Sequence, residues 1–434
     1  MPSALLSALL LTTTLNIPID RYVLPNGLVV VLHEDHRLPT VVVNLLFRVG
    51  SKDERRGRTG FAHLFEHLMF MGTRNVPNGE FDRILEGAGG YDNAATFEDY
   101  TNYFDSGPSN LLETFLWLEA DRLSSLPDDM TKQKLDLQRD VVKNERREIF
   151  ENRPYGRAEL ALPDKLYPPS HPYHHPVIGS HADLDAASVE DVKAFFRQFY
   201  VPSNAMLVVS GDFSAAAARP LVEKYFAWMA KKPVPPHASP KPATLAKPVR
   251  VRLTDAVQLP RVVLAWHSPA GYLDGDAECD LLAATLGGGH SSRLYQSLVY
   301  EKKLAESVEV EQRTMRQSSQ FVIVATAQSG HTASELEAAI TAELERLQAS
   351  PPTESELAQA RAFVQTKLLH ELEGQVQMAG ALAYFEMRFG DAATLSTKYL
   401  GRYDSVTATE LATWAKKVLS APHLTVVVDP EVAK

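Results

Sequence analysis

The feature that most constrains this chain is that it repeats itself. Leu38-Pro39-Thr40-Val41-Val42-Val43 resembles Leu259-Pro260-Arg261-Val262-Val263-Leu264, 221 residues later. Asn204 to Val209 (NAMLVV) likewise resembles His423 to Val428 (HLTVVV). The first pair are β-branched runs, each followed by an apolar helical pattern, and the second pair read as closing buried strands. A repeat of about 220 residues is a duplicated domain, not a solenoid unit. Between the copies lies Lys231 to Pro248, with six prolines in eighteen residues. Such a stretch supports neither a continuous helix nor a central strand and reads as a semi-rigid connector. The expected division is a first domain over 17–230, a linker over 231–248 and a homologous domain over 249–434.

Within each copy, strands come first, then helices, then a closing strand. In the first copy, Tyr22-Val23-Leu24 and Leu28 to Leu32 flank Pro25-Asn26-Gly27, a hairpin signal. Val41 to Val49 reads as a further strand; Thr59 to Phe70, Leu111 to Leu123 and Lys132 to Phe150 read as helices. Blocks of strands and blocks of helices predict an α+β fold: two homologous domains, each a mainly antiparallel sheet packed by helices on one side.

Composition narrows the function. The 44 basic and 54 acidic residues give a net charge of −10, which argues against a nucleic-acid partner needing a basic face. The single cysteine, Cys279, excludes an internal disulfide framework and a multi-cysteine zinc ribbon. No apolar stretch reaches the ~18–20 residues of a transmembrane helix. Residues 1–16 are a signal-like apolar segment: Ala4 to Leu11 (ALLSALLL) resembles the core of a signal peptide, although no basic residue precedes Arg21. The segment points to the periplasm or cell envelope. The alternative is a short helix on a cytoplasmic protein.

His63-Leu64-Phe65-Glu66-His67 carries the chemistry. On a helix, positions i and i+4 share a face, so both imidazoles reach one metal, and Glu66 leans the same way. Two neutral imidazoles with a carboxylate beside them suit zinc and a general base for hydrolysis. Leu64, Phe65, Leu68, Met69 and Phe70 make the helix apolar nearly all round. It is therefore buried, and its polar groups need partners. A catalytic zinc takes a third protein ligand and leaves one position open. Candidates lie in Gln138 to Glu151. Glu145 follows Val141 by four and is expected to share an inward-leaning face; Glu148 is the neighbouring alternative.

The contexts GFAHLFEHLMFMGT, GGYDNAATFEDYTNY and RDVVKNERRE resemble the pitrilysin-like inverzincin peptidases, the family of insulin-degrading enzyme and mitochondrial processing peptidase. The resemblance covers nearly the whole chain. It implies a zinc metalloendopeptidase of extended peptides with one Zn2+ per chain, held by His63, His67 and Glu145, and with Glu66 as general base. It also implies that Asn93 and Ala94 lie on an edge strand to which substrate peptide adds.

Two departures stand out. Many members carry a Glu seven residues before the third ligand; here that position is Gln138. Many also carry an Arg and a Tyr in the second copy that hold the substrate; the matching positions here are Tyr300 and Glu306. At the offset of 221, His63, Glu66 and His67 fall on Ala284, Gly287 and Gly288, so the second copy is expected to lack a metal site. Gly287-Gly288-Gly289 is followed by neither pattern of a nucleotide loop. A single pair of domains with a zinc motif and no clamp implies a heterodimer with a homologous subunit carrying the Arg/Tyr pair; a homodimer is the alternative. A non-catalytic scaffold of the same fold is the competing function, and a zinc hydrolase of non-peptide substrates a third.

Overall fold

A computed structural model describes residues 16–431 apart from 235, 236, 238 and 239. The apolar Ala4 to Leu11 segment lies outside the described residues. No helix among them is long and apolar enough to cross a membrane.

The first sheet contains β1 (Asp20–Val23), β2 (Val29–Glu34), β3 (Thr40–Phe47), β4 (Tyr91–Thr96), β5 (Thr101–Pro108) and β6 (Ala205–Gly211), in the order β1-β2-β6-β3-β5-β4. The second contains β7 (Val249–Asp255), β8 (Arg261–Ser268), β9 (Ala305–Arg313), β10 (Ser319–Ala327) and β11 (Leu424–Pro430), in the order β7-β11-β8-β10-β9. In each sheet the closing strand inserts parallel to the first long strand and antiparallel to the next. The repeat in sequence is thus a repeat in topology, with β3 matching β8 and the edge strand β4 matching β9. The hairpin forms where expected: β1 and β2 pair antiparallel, and Gly27 takes the left-handed φ of +92° in the turn.

Each sheet packs its own helices on one face. Val41, Val43, Leu45 and Phe47 of β3 meet Phe65, Leu68 and Phe115. The opposite faces are covered as well, and by the other half of the chain. Val31, Val42, Leu46 and Val208 pack against Leu382 and Phe385 of the Gln375–Phe389 helix. Reciprocally, Val263, Val322, Val426 and Val428 pack against Leu162 and Leu166 of the Gly156–Leu166 helix. This double burial explains why β3 reads as a nearly unbroken apolar run instead of alternating. Polar contacts reinforce the exchange. Arg21 forks onto Glu386 at 2.8 and 2.9 Å, Tyr155 Oη donates to Leu259 O at 2.9 Å, and Tyr167 Oη donates to Ser318 O at 2.7 Å. The described residues of 231–248 form no helix or strand, and His237 Nδ1 sits 2.8 Å from Asp53 Oδ1.

Candidate metal centre

The Phe61–Leu68 helix carries the two histidines. Its buried face, Ala62, Leu64, Phe65 and Leu68, joins the first core, so the helix is held rigidly and His63 and His67 emerge on one side. Their rings lie 4.8 Å apart, edge to face. Glu145 arrives from the Lys132–Arg146 helix, whose start is capped by Thr131. Its Oε2 lies 3.0 Å from His63 Nε2 and 3.2 Å from His67 Nε2. Among the described residues these three form the one group of potential ligands, with donor atoms within 4.8 Å of one another.

The route to Glu145 differs from the expected one. Val141 does not lean inward; it is 40% exposed, whereas Val142 is fully buried. Glu145 lies one turn after Val142, at i+3. The face bearing Val141, Glu145 and Ile149 is the open side of the helix, and Leu137 and Ile149 are exposed along it. Glu148 is exposed in the π-helical turn Arg147–Glu151 that follows. Gln138 Nε2 donates to Met71 Sδ at 2.7 Å and so serves packing.

The donor set fits a zinc ion. Ligand atoms about 2.0–2.1 Å from a tetrahedral ion stand about 3.3 Å from one another, close to the 3.0 and 3.2 Å seen here. The electrostatics agree. Burial opposes charge on His63, but hydrogen bonds to Glu145 and Glu66 outweigh it and push its pKa up to about 9. Burial likewise opposes charge on Glu145, yet the two imidazoles hold it at about 2. The carboxylates thus favour a proton on His63, and a bound metal ion would take that proton's place.

Glu66 is buried beside this group, its Oε2 3.5 Å from His63 Nδ1. That oxygen accepts a hydrogen bond from Thr96 Oγ1, a partner that sequence reasoning did not single out. Thr96 ends β4, which is an edge strand of the sheet. Asn93 and Ala94 lie on the same strand, opposite Phe104 and Tyr103 of β5. Asn93 is exposed, and its Oδ1 accepts from Ala94 N at 2.8 Å. A second residue missed from sequence is Glu54. Its buried carboxylate accepts from the N–H groups of Gly60 and Ala62 at the start of the histidine-bearing helix.

In the second half, Ala284, Gly287 and Gly288, at the 221-residue offset, lie at the end of the Asp276–Gly287 helix. They line a cavity of about 500 Å³ together with β9 residues Glu309 to Arg313. Tyr300 is 70% exposed, and Glu306 lies on β9. Arg293 is committed to Glu356, at 2.6 and 3.0 Å.

Comparison with known proteins places this geometry in a family. Residues 29–168 match the model described as insulinase (peptidase family M16), and residues 186–364 match that described as peptidase M16 inactive domain. The chain is 31% identical to the zinc protease PqqE of Helicobacter pylori over 364 residues, 83% of this chain and 81% of that one. It is 24% identical to the mitochondrial-processing peptidase subunit beta of Blastocladiella emersonii over 393 residues, 87% and 81% of the two chains. The crystal structure of a protease from Helicobacter pylori superposes with a TM-score of 0.89 at 29% identity, covering 95% of this chain and all of that one. Two matched sheets, an HxxEH helix and relatives of this kind make the chain a member of peptidase family M16, the pitrilysin-like group.

Proposed function

We propose that this chain is a zinc metalloendopeptidase acting on extended peptides. The observation that carries the reading is the convergence of His63, His67 and Glu145 from two helices onto one point, with Glu66 alongside. His63, His67 and Glu145 are the ligands and Glu66 is the catalytic carboxylate. A zinc ion bound there supplies Lewis-acid activation of a water at neutral pH. Glu66 takes the water's proton on a carboxylate oxygen and returns it to the leaving amine nitrogen. Thr96 Oγ1 holds the Glu66 carboxylate in one orientation. Asn93 and Ala94 offer the open edge of β4 to an extended peptide, which pairs through main-chain hydrogen bonds with loose sequence choice.

A scaffold has no need of three converging ligands and a buried carboxylate beside them, so the non-catalytic reading is disfavoured. The unit over 17–230 is then the catalytic domain and that over 249–434 its metal-free homologue, joined by 231–248. Tyr300 and Glu306 stand at the clamp positions and Arg293 is tied to Glu356, so the matched segment of the second half carries no Arg/Tyr clamp. A heterodimer with a homologue that carries the pair completes the site better than a homodimer. The Ala4 to Leu11 segment supports a periplasmic or envelope location; cell fractionation of the full chain tests it. The decisive test of function is Glu66→Gln, assayed with its homologue and alone. The variant keeps its zinc and fold and loses ~10²–10⁴-fold in peptide hydrolysis. Near-normal turnover would place the base elsewhere.

A further inference from the structure

One short segment touches both sides of the site. Ser51 N donates to Phe97 O at 3.1 Å and Lys52 N to Glu98 O at 3.0 Å, in the loop joining β4 to β5. Gly50 approaches that loop so closely that a Cβ would fall 2.3 Å from Phe97 O and 2.5 Å from Glu98 O. Lys52, itself buried, pairs with Asp53 at 2.9 Å and donates to Asp99 O at 3.0 Å. The segment is thus fastened to the hairpin that presents the β4 edge.

Directly after it comes Glu54, whose side chain is fully buried. Its Oε2 accepts the Gly60 N–H at 2.9 Å and its Oε1 the Ala62 N–H at 2.7 Å. The N-cap of this helix is Gly60, with φ +82° and no side chain to cap with. The first N–H groups of a helix lack internal partners and favour a negative group. Glu54 supplies it from outside the helix. An ordinary Ser or Thr cap belongs to its helix and moves with it. A cap anchored on a separate segment fixes the helix relative to that segment. His63 is the residue after Ala62, and Glu66 follows within one turn.

The geometry points to Glu54 as a positioning residue for the metal centre. Its carboxylate registers the first turn of the Phe61–Leu68 helix against the β4–β5 hairpin. That registration brings His63 onto Glu145 and Glu66 onto Thr96. The assignment rests on the zinc-peptidase reading above and names a residue outside the HxxEH motif and the third ligand. Outer-shell groups of this kind tune metal affinity ~10–100-fold, and small misplacements of reacting groups cost heavily in rate.

The test uses the full chain loaded with Co(II) or zinc, comparing wild type, Glu54→Gln and Ile340→Val, a mild core destabiliser in the second half. Assays run well below every Tm. Glu54→Gln is expected to bind metal about 10–100-fold more weakly and to shift the visible Co(II) spectrum. Its kcat is expected to fall at least about tenfold with KM within about twofold. Ile340→Val is expected to change none of these. Should Glu54→Gln not fold, Glu54→Asp keeps the charge, shortens the reach by one carbon and carries the same spectral expectation. Wild-type metal affinity and Co(II) spectrum in a folded Glu54 variant, with only Tm lowered, would overturn the proposal and leave the zinc reading standing. Failure of wild type to bind either metal would overturn both.

Discussion

Glu145 Oε2 lies 3.0 Å from His63 Nε2 across 82 residues of chain. The proposed third ligand is therefore placed by the meeting of two helices, not by any local motif. Purified protein is expected to hold one zinc per chain. Glu145→Gln removes a charged donor and should lower zinc affinity by more than the roughly 10–100-fold that outer-shell changes cost. Glu148→Gln, on an exposed residue, should retain zinc after dialysis. Metal analysis of both variants checks this, and equal retention would withdraw Glu145 as a ligand.

Thr96 and Glu66 form the second relationship. A hydrogen bond to a charged group contributes about 1.5–3 kcal/mol. Thr96→Val keeps the shape and deletes the donor to Glu66 Oε2. Zinc content should stay at the wild-type level while kcat drops about tenfold, because the carboxylate loses its fixed orientation. Steady-state kinetics with parallel metal analysis measure both; an unchanged kcat would mean that Thr96 does not orient the base.

The exchanged helices make each sheet depend on the other half. Leu382 is fully buried against the outer face of the first sheet, although it belongs to the second half of the chain. Leu382→Ala should cost about 2–5 kcal/mol and accelerate amide exchange in β3 and β6. Urea unfolding and hydrogen exchange report this. Loss of protection confined to the second sheet would contradict the exchange.

Acid should loosen the same junction. His267 on β8 places Nε2 2.9 Å from Leu166 O and its ring beside Tyr167. Burial pulls its pKa from the ordinary 6.5 down to about 4. A base whose folded-state pKa is depressed binds its proton more readily in the unfolded chain. Its neutral form costs nothing above pH 6.5, and stability falls as pH drops from 6.5 through 4. The loss is at most about 3 kcal/mol, and less where the ring keeps solvent contact. His267→Gln should flatten the acid limb of a Tm-versus-pH curve; an unchanged limb would assign the acid sensitivity to other groups.

The sequence by itself determined what rests on local periodicity. His63 and His67 share a face because they are four apart on a helix, and their apolar neighbours bury that helix whatever surrounds it. The β-branched runs at Val41 and Val262 become strands through their local pattern, and Pro25-Asn26-Gly27 marks the turn between β1 and β2. The tertiary structure decided every contact between segments distant in the chain. Val141 looked like an inward marker but faces the open side, because periodicity reports that a face is apolar and not what covers it. The expected fold covered each sheet on one side only; the unbroken apolar run of β3 fits burial on both faces, but nothing local named Leu382 and Phe385 as the second cover. Glu54 lies outside every motif, and nothing in the segment around Thr96 marks its hydroxyl as a partner of Glu66. They matter because the chain folds a buried carboxylate onto a helix start and a hydroxyl onto Glu66. Such polar contacts depend on directions and distances that only the packed structure sets.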